Sequence, residues 1–447
     1  MMIQMPKEAQ EILEKLNHHG FEAYIVGGCV RDSLLEKEPE DWDITTSARP
    51  EEVKAIFGRT IDTGIQHGTV TIMRGKTGYE VTTYRIDGKY EDGRHPKTVE
   101  FTSSLEEDLK RRDFTINAMA YSPGEGLIDM FGGVRDLTAK TIRCVGTAAD
   151  RFTEDALRIL RAVRFCAQLG FEIEQQTWDA IKTIGPNLSK VSKERIQAEL
   201  TKLLISPHPG HIKDIFTCSL ESCISPAFAA LDPETIFINP KLPQEKYLRW
   251  ASCLKDQSPE EAASILRDLK MDNDTINKVK LLVYMCPRPI GLPPAEIRRT
   301  MSQMPDQLFD SLILLKCSLE DPDNPKYSET PEAAADIQQP GIQHQNSIQS
   351  HISCQLRQLE QIRHTAQEIR RHGDCTSLKT LAVTGNDLIA LGMKPGKQIG
   401  ETLQTLLDLV LEHPERNQKE FLLSAVASLT EKAQQTEIQT SHLTKCK

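Results

Sequence analysis

Two aspartates two residues apart, Asp41 and Asp43, carry the clearest chemical signal in the sequence. Within a strand, side chains two residues apart point to the same face, so both carboxylates would reach one spot. Two close carboxylates are hard oxygen ligands that suit Mg²⁺, which in proteins usually binds a few carboxylates together with substrate phosphates. By itself an Asp-x-Asp pair is also typical of a solvated strand edge or turn, so the interpretation depends on its neighbours.

A pair of glycines precedes these aspartates. A strand-like segment, residues 21–26, runs into Gly27 and Gly28 and then into a predicted helix that carries Arg31. Such a strand, turn and helix offers backbone N–H groups to a triphosphate, and Arg31 in the first turn adds a charge-assisted contact. Two glycines alone are typical of a plain tight turn. Followed in this order by Asp41 and Asp43, they favour nucleotidyl transfer.

A second cluster of charged residues occupies positions 106–119. Its first part is typical of a solvated helix with ion pairs between neighbouring turns. Arg112 is different, because a short apolar run follows it, and we interpret it as a phosphate clamp. Asp113 and Asn117 would orient a ribose or brace the loop. Glu80 either assists the metal ions or is a strand carboxylate paired with an arginine, and the sequence leaves both readings open.

A third cluster, residues 154–164, is predicted to lie on one helix. Ala156, Leu160, Val163 and Ala167 repeat at the spacing of a buried helical stripe. Asp155, Arg158 and Arg161 fall on the other side, and Arg164 lies at the border. A solvated face with salt bridges would produce the same pattern.

The Asp155–Arg158 pair also has a functional interpretation. Cytosine and adenine both present an amino donor beside a ring-nitrogen acceptor, whereas uracil and guanine present the reverse. A carboxylate acceptor next to a guanidinium donor would therefore accept C and A and refuse U and G. Arg161 and Arg164 would contact phosphates or hold this pair in place.

The elements that must position these residues change along the chain. Residues 1–18 are predicted to be helical, and the β-branched runs 69–74 and 79–85 flank a turn at Gly75–Gly78, which predicts a hairpin. From about residue 150 the pattern is helical throughout. The fold class is therefore α+β, with a mixed or antiparallel sheet first and helices after it. Residues 321–349 are polar and contain prolines, which predicts a linker before a long helix at 350–372.

Composition limits the class of protein. The 447 residues are 39% hydrophobic and 26% charged, which is ordinary for a globular protein. The first residues resemble an amphipathic helix rather than a secretory signal, and no run of eighteen apolar residues occurs, so we expect a cytoplasmic protein without a membrane partner.

The eleven cysteines form no C-x-x-C pair, which argues against disulfides and zinc. With a net charge of −10, any RNA contact must come from local basic stripes.

At these clusters the sequence resembles the class II CCA tRNA nucleotidyltransferases. Six segments match in order over residues 20–205: YIVGGCVRD, EDWDITT, RRDFTINAM, LIDMFGGVRDL, EDALRILRAVRF and SKERIQAEL. The resemblance implies a seahorse-like arrangement, with a nucleotidyltransferase head and a helical neck, body and tail. The corresponding bounds are 1–140 for the head, 141–205 for the neck, 206–320 for the body, 321–349 for the linker and 350–447 for the tail.

The resemblance also implies residue roles. Asp41 and Asp43 would be catalytic residues and metal ligands, and the others would bind the nucleotide: Gly28, Arg31, Arg112, Asp155, Arg158, Arg161 and Arg164. Asp129–Asp136 matches the hinge between head and neck, and Ser192–Glu199 a helix that buttresses the nucleotide-selecting residues. Residues 85–96 occupy the position of a mobile loop that CC-adding members lack.

The implied activity is addition of the 3′-terminal CCA to tRNA. CTP and ATP would be the substrates, Mg²⁺ the cofactor, and the tRNA 3′ end, acceptor stem and elbow the partner surfaces of a monomer or weak homodimer. The alternatives are an A-adding tRNA nucleotidyltransferase or a bacterial poly(A) polymerase. A more remote alternative is a catalytically silent RNA-binding protein with the same fold.

Overall fold

The computed structural model describes residues 2–87, 99–321, 324 and 341–427. It separates into two compact units, Met1–Trp250 with Glu260–Ile276, and Ala251–Pro259 with Asn277–Lys447. The strands are β1 Ala23–Val26, β2 Ile44–Thr46, β3 Thr60–Gly64, β4 Thr69–Arg74, β5 Thr77–Thr83, β6 Arg85–Asp87, β7 Val99–Phe101, β8 Ala120–Ser122, β9 Gly126–Ile128, β10 Thr141–Ile142 and β11 Glu172–Ile173.

Helices account for most of the remaining elements. In the first half of the chain they are α1 Lys7–His18, α2 Gly28–Leu34, α3 Pro50–Ile56, α4 Leu105–Lys110, α5 Gly133–Thr138, α6 Ala148–Glu154, α7 Leu157–Leu169, α8 Gln175–Ile184, α9 Lys193–Leu204, α10 Ile212–Thr217, α11 Glu221–Ile224 and α12 Pro226–Ala229. They continue as α13 Lys246–Cys253, α14 Pro259–Asp268, α15 Asn273–Met285, α16 Pro294–Ser302, α17 Asp306–Leu319, α18 Gly341–His372, α19 Gly385–Ala390 and α20 Lys397–Glu412.

A seven-stranded sheet in the order β3-β4-β5-β2-β1-β8-β9 forms the amino-terminal part of the first unit. The sheet is mixed, because β2 and β5 run parallel while β1 pairs antiparallel with both β2 and β8. Tyr24, Val26 and Tyr84 form a buried cluster with Leu105 and Leu109 of α4. This packing holds the segment after α4 close to the centre of the sheet. The predicted α+β class with an amino-terminal mixed sheet is confirmed.

The predicted hairpin is present, but its turn is shorter than predicted. β5 begins at Thr77, directly opposite Arg74, so the turn is Gly75–Lys76 rather than Gly75–Gly78. Gly75 has a φ of +62°, which the two-residue hairpin turns that match strand twist require. The segment 85–96 is described only in part: Arg85–Asp87 pairs with Val99–Phe101, and residues 88–98 lie outside the described residues.

Three further expectations need correction. α1 begins at Lys7, because Pro6 stands in an extended conformation before it. The neck region is not purely helical, since Glu172–Ile173 pairs in parallel with Thr141–Ile142. The long helix predicted at 350–372 begins at Gly341, directly after Pro340, so residues 341–349 are helical rather than linker. The absence of proline after Pro340 permits this longer helix. Residues 322, 323 and 325–340 lie outside the described residues.

The second unit has its own apolar core. It includes Leu388 from α19 and Leu406, Leu407 and Val410 from α20. Arg298 of α16 is buried, and its Nε donates to the carbonyl of Leu411 at 2.7 Å, which satisfies an unpaired carbonyl at the end of α20. Within the described ranges, each helix is too short or too polar to span a bilayer.

Candidate active site

One cavity of about 750 Å³ in the first unit collects most of the residues that the sequence singles out. Its walls come from the β1–α2 turn, the segment before β2, the segment after α4, and α7 and α9. Seven of the nine predicted site residues line it: Gly28, Arg31, Asp41, Asp43, Arg112, Arg161 and Arg164. Asp155 and Arg158 are not among the lining residues. The cavity therefore brings together segments that are far apart in the chain.

The β1–α2 turn brings the backbone close to an arginine. Gly27 has a φ of +79°, which disfavours residues with a side chain, and its N–H donates to the carbonyl of Met119 at 3.2 Å. A Cβ atom at Gly27 would lie 2.9 Å from a terminal nitrogen of Arg112. Glycine is therefore required at this position both by the backbone conformation and by the position of the guanidinium.

Asp41 and Asp43 lie immediately before β2, and both line the cavity. The carbonyl of Asp43 accepts the N–H of Val26 at 3.0 Å, which ties this segment to β1. Burial raises the pKa of Asp43; Arg112 opposes that effect, while the charges of Glu80 and Asp41 add to it. Glu80, on β5, is thus close enough to act on the same site. Mutual repulsion of these carboxylates is what a bound cation would relieve.

The donor set fits a metal ion that shares its ligands with a substrate. In the part of the chain that the structure describes, no group of three or more His, Cys, Asp or Glu side chains is placed to hold a metal by itself. Asp41 and Asp43 would supply two oxygen ligands and leave the remaining positions to water and phosphate. This is the usual pattern for Mg²⁺, whereas a structural metal site supplies all ligands from the protein.

Arg112 is largely buried beside these carboxylates. Burial lowers the pKa of its guanidinium, and nearby Asp108, whose Oδ2 lies 3.8 Å away, raises it. Among the described residues, its Nε has no hydrogen-bond partner. A buried guanidinium with an unused donor in a cavity suits an anionic ligand. Asp108, which the sequence analysis did not select, is fully buried and accepts a hydrogen bond from the hydroxyl of Thr45 at 3.0 Å, so it anchors α4 to β2.

A chain of hydrogen bonds links Arg31 to α7. Arg31 donates to the side-chain oxygen Oδ1 of Asn117 at 2.7 Å and also pairs with Asp32 at 2.8 Å. The Asn117 amide donates to Asp113 at 3.2 Å, and Arg161 donates to the other oxygen of Asp113 at 2.7 Å. Asp113 and Asn117 therefore brace the loop between the sheet and α7. Arg31 lines the cavity while it is held by this network.

The part of α7 that lines the cavity carries Arg161 and, about one helical turn further on, the adjacent residues Arg164 and Phe165. Arg164 is 6% exposed and donates to Glu199 of α9 and to Gln168. The guanidinium carbon of Arg164 lies 3.9 Å from the centre of the Phe165 ring, with those of Arg31 and Arg161 at 5.2 and 5.4 Å. Phe165, which the sequence analysis missed, is the apolar surface on which these arginines pack.

Asp155 and Arg158 are arranged differently from the prediction. The predicted helix 154–164 is interrupted: Asp155 has φ −141° and ψ 102°, and α7 begins at Leu157. One Asp155 oxygen accepts the Leu157 N–H at 3.0 Å, and the other pairs with Arg195 of α9 at 2.7 Å. This capping contact explains the break, because an extended Asp readily satisfies the first N–H groups of a helix. The predicted stripe is confirmed, with Ala156, Leu160, Val163 and Ala167 all buried.

Arg158 has partners other than Asp155. Its guanidinium donates to Glu154 at 2.7 Å and to the carbonyl of Arg111 at 3.0 Å. The two residues predicted to select the base therefore have separate partners. Arg195 binds the carboxylate of Asp155, and Glu154 binds the guanidinium of Arg158. Spacing alone gave no sign of Arg195, which lies forty residues from Asp155 in the sequence.

Comparison with known proteins identifies the family. Three family models match: "Poly A polymerase head domain" over residues 23–143, "Probable RNA and SrmB-binding site of polymerase A" over 170–230, and "tRNA nucleotidyltransferase domain 2 putative" over 342–426. The chain is 52% identical to the CCA-adding enzyme of Leuconostoc citreum over 223 residues, a stretch that covers 46% of this chain and only 55% of that one. The CCA-adding enzyme of Enterococcus faecalis is 36% identical over 427 residues, 94% of this chain and 95% of that one.

The fold agrees with these sequence matches. The crystal structure of the Bacillus stearothermophilus CCA-adding enzyme in complex with CTP superposes with a TM-score of 0.71 at 30% identity, covering 96% of this chain and all of that one. The similarity thus extends over nearly the whole chain, including the helical part where the motifs are sparse. On these grounds the chain belongs to the family of CCA-adding enzymes, which are tRNA nucleotidyltransferases.

Proposed function

We propose that this enzyme adds the 3′-terminal CCA to tRNA without a nucleic-acid template, using CTP and then ATP and releasing pyrophosphate. The observation that carries the proposal is the single cavity in which Asp41 and Asp43 adjoin Arg112 and the arginine face of α7. Carboxylates for a metal and guanidiniums for phosphate are the groups that nucleotidyl transfer needs. The Enterococcus and Bacillus relatives carry the same activity in their names.

Nucleotidyltransferases of this family use divalent metal ions, and we assign Mg²⁺ to Asp41 and Asp43. Bound there, Mg²⁺ would neutralise phosphate charge and favour the ionised form of the attacking hydroxyl. The protein's own part is to keep both carboxylates on one wall, which the hydrogen bond between Val26 and Asp43 supports. Glu80 adds negative charge beside them.

The triphosphate would lie against Gly28, Arg31 and Arg112. The Nε donor of Arg112, which has no hydrogen-bond partner in the described part of the chain, is held in place by burial, so it would lose little freedom on binding an anion. Arg31 and Arg161 are held by the Asp113–Asn117 network, which keeps two cationic groups close to the path of the nucleotide. Positioning and charge neutralisation, rather than covalent chemistry, would supply most of the rate enhancement.

Nucleotide choice would depend on Asp155 and Arg158. An acceptor beside a donor matches the shared edge of cytosine and adenine, as argued from the sequence. Their present partners, Arg195 and Glu154, orient the two groups and would have to share or release them when a base binds. Arg164, buried against Glu199, would support this wall of the cavity rather than contact the base.

The tRNA would be bound by shape and backbone at its acceptor stem and elbow, with the helices after residue 350 on the elbow. We keep the expectation of a monomer or weak homodimer, which sedimentation of the purified chain with and without tRNA would test. The other domain bounds inferred from the sequence likewise remain predictions, whereas the end of the linker is corrected by the start of α18 at Gly341.

An incorporation assay tests the function. The full chain is given tRNA that lacks its 3′ end, with labelled CTP, ATP, UTP or GTP, singly and mixed. Two C residues followed by one A, and then a stop, is the expected product. Addition of A only to tRNA that already ends in CC would instead indicate an A-adding enzyme. Long A tails on unrelated RNA would indicate a poly(A) polymerase, and no incorporation a silent RNA-binding protein.

A further inference from the structure

The cavity extends beyond the residues assigned above, to the carboxy-terminal turns of α7 and α9. Gln168 of α7, Lys202 of α9, Ser206 just after α9 and Gln244 before α13 also line the cavity, and together they are called the α9 subsite below. The four side chains offer an ammonium, a hydroxyl and two amides, with no carboxylate among them. Such a set suits the oxygens of phosphate and ribose rather than a cation.

Ser206 is the most informative of the four. It is 4% exposed, and within the described part of the chain its hydroxyl oxygen has no hydrogen-bond partner. Buried hydroxyls in native proteins are normally satisfied, so an unsatisfied one beside a cavity is available to a water molecule or to a ligand bound there. Ser225 provides the contrast: it is 3% exposed, and its hydroxyl accepts the N–H of Phe228 at 3.0 Å.

Lys202 and Gln168 complete the donor set. Lys202 is exposed, and in the described ranges it is not paired with a carboxylate. The carbonyl oxygen of Gln168 accepts a hydrogen bond from Arg164, which leaves its amide hydrogens to donate. The α9 subsite thus presents unused donors next to a wall that already carries Arg161 and Arg164.

The incoming nucleotide does not account for these donors. Arg158 and Gln168 are ten residues apart on α7, which corresponds to about 15 Å at the rise of an α-helix. The triphosphate of the incoming nucleotide is already assigned to Gly28, Arg31 and Arg112, so a sugar-phosphate bound beside Gln168 and Lys202 is assigned to a second nucleotide. We propose that the α9 subsite binds the sugar-phosphate backbone of the RNA strand being extended, upstream of its 3′ end. This inference rests on the proposed function, which brings an RNA 3′ end into the cavity.

Two substitutions test the subsite by binding, without turnover. Ser206→Ala is expected to weaken binding of tRNA lacking its 3′ CCA by about fivefold, the effect of one lost hydrogen bond. Its melting temperature should stay equal or rise, because the substitution removes an unsatisfied hydroxyl. The matched control, Ser225→Ala, should lower the melting temperature and leave tRNA affinity unchanged.

Lys202→Ala tests the phosphate contact through salt dependence. Loss of one phosphate contact should reduce the slope of log affinity against log salt by roughly 0.7 to 0.9. Lys7→Ala on α1, which changes the net charge equally but lies outside the cavity lining, should leave the slope unchanged. A single uncharged methylphosphonate placed upstream of the RNA 3′ end should weaken wild-type binding but not further weaken binding by the Lys202→Ala variant.

The outcomes separate this inference from the proposed function. If both variants bind tRNA as tightly as the wild type, or if only the KM for CTP rises, the α9 subsite does not bind the RNA strand. If the wild type incorporates no nucleotide, the proposed function fails, whatever the variants do. Weaker tRNA binding with an unchanged KM for CTP supports the inference.

Discussion

Asp113 and Arg161 form an ion pair, with 2.7 Å between the carboxylate and the Nε of the guanidinium, that joins the segment after α4 to α7. The carboxylate is 8% exposed and also accepts the N–H of Phe114 at 2.8 Å. Through this pair, the part of the cavity that carries Arg112 is tied to the helix that follows Asp155. Arg158, which donates to the carbonyl of Arg111 at 3.0 Å, joins the same two segments a second time.

The substitution Asp113→Asn should make the free energy of unfolding vary less with pH in the acid range. Burial by itself raises the pKa of Asp113, but Arg161 and Arg158 outweigh it and hold that pKa well below the ordinary value. Because the pKa of Asp113 is lower in the folded than in the unfolded chain, where it is about 3.9, its ionised carboxylate stabilises the fold at pH values above about 3.9. This contribution to the free energy of unfolding is lost as the pH falls from there towards the folded-state pKa. At pH 7 the variant should be destabilised by roughly 1–3 kcal/mol, since a charge-assisted hydrogen bond is lost.

Urea unfolding at pH 7 and at about pH 3 measures this effect, and the difference between variant and wild type should shrink at the lower pH, which lies below the unfolded-state pKa. Asp62→Asn serves as the control, because the Asp62–Lys54 pair is on the surface, where exposed pairs contribute about 0–1 kcal/mol. A difference for Asp113→Asn that stays constant with pH would contradict the pKa argument.

Asp41→Ala and Asp43→Ala should each lower incorporation by roughly a thousandfold or more, because each removes a carboxylate needed for charge stabilisation at the phosphate. Binding of tRNA should survive, since neither residue is expected to contact the helical stem. Single-turnover incorporation and filter binding measure the two effects. Chelation of divalent ions should abolish wild-type activity, and added Mg²⁺ should restore it. Substantial activity in either variant would disprove the metal assignment.

Arg158→Ala should relax the choice among nucleotides. A good pair of hydrogen bonds contributes about 1–3 kcal/mol of discrimination, so the preference for CTP over UTP should fall between about fivefold and a hundredfold. Arg195→Ala should have a smaller effect in the same direction, because it frees Asp155 without removing it. The ratio of kcat/KM for CTP and UTP is the measurement. Arg59→Ala, an exposed residue outside the cavity lining, should leave that ratio unchanged.

Gly27→Ala should impair both folding and activity. The positive φ disfavours any side chain by roughly 1–2 kcal/mol, and the new Cβ would displace the Arg112 guanidinium, 2.9 Å away. A lower melting temperature and a raised KM for CTP are expected. Gly58→Ala is the matched control, because a Cβ there has no neighbour within 4 Å. Equal behaviour of the two variants would show that the close approach to Arg112 is unimportant.

Several features could be predicted because they depend on residues near each other in the chain. The sheet before the helices, the buried stripe on α7 and the order of the Gly27-Gly28 turn and the two aspartates follow from local periodicity and turn chemistry. The family resemblance then supplied the roles. The predicted ends of helices are less accurate. The helix α18 begins at Gly341 rather than at the predicted residue 350, because polar residues without proline permit a helix as readily as a linker.

By itself, the sequence determined which residue types could perform the chemistry and that Asp41, Asp43 and Arg112 belong to one site. Only the tertiary structure decided their partners. Asp108 is buried because it lies between Thr45 and Arg111, and Asp155 meets Arg195 because α9 packs against α7. Likewise, only the structure shows that the hydroxyl of Ser206 has no hydrogen-bond partner among the described residues. Spacing along the chain reports neighbours within a helical turn, whereas burial and ion pairing depend on which distant segments pack together.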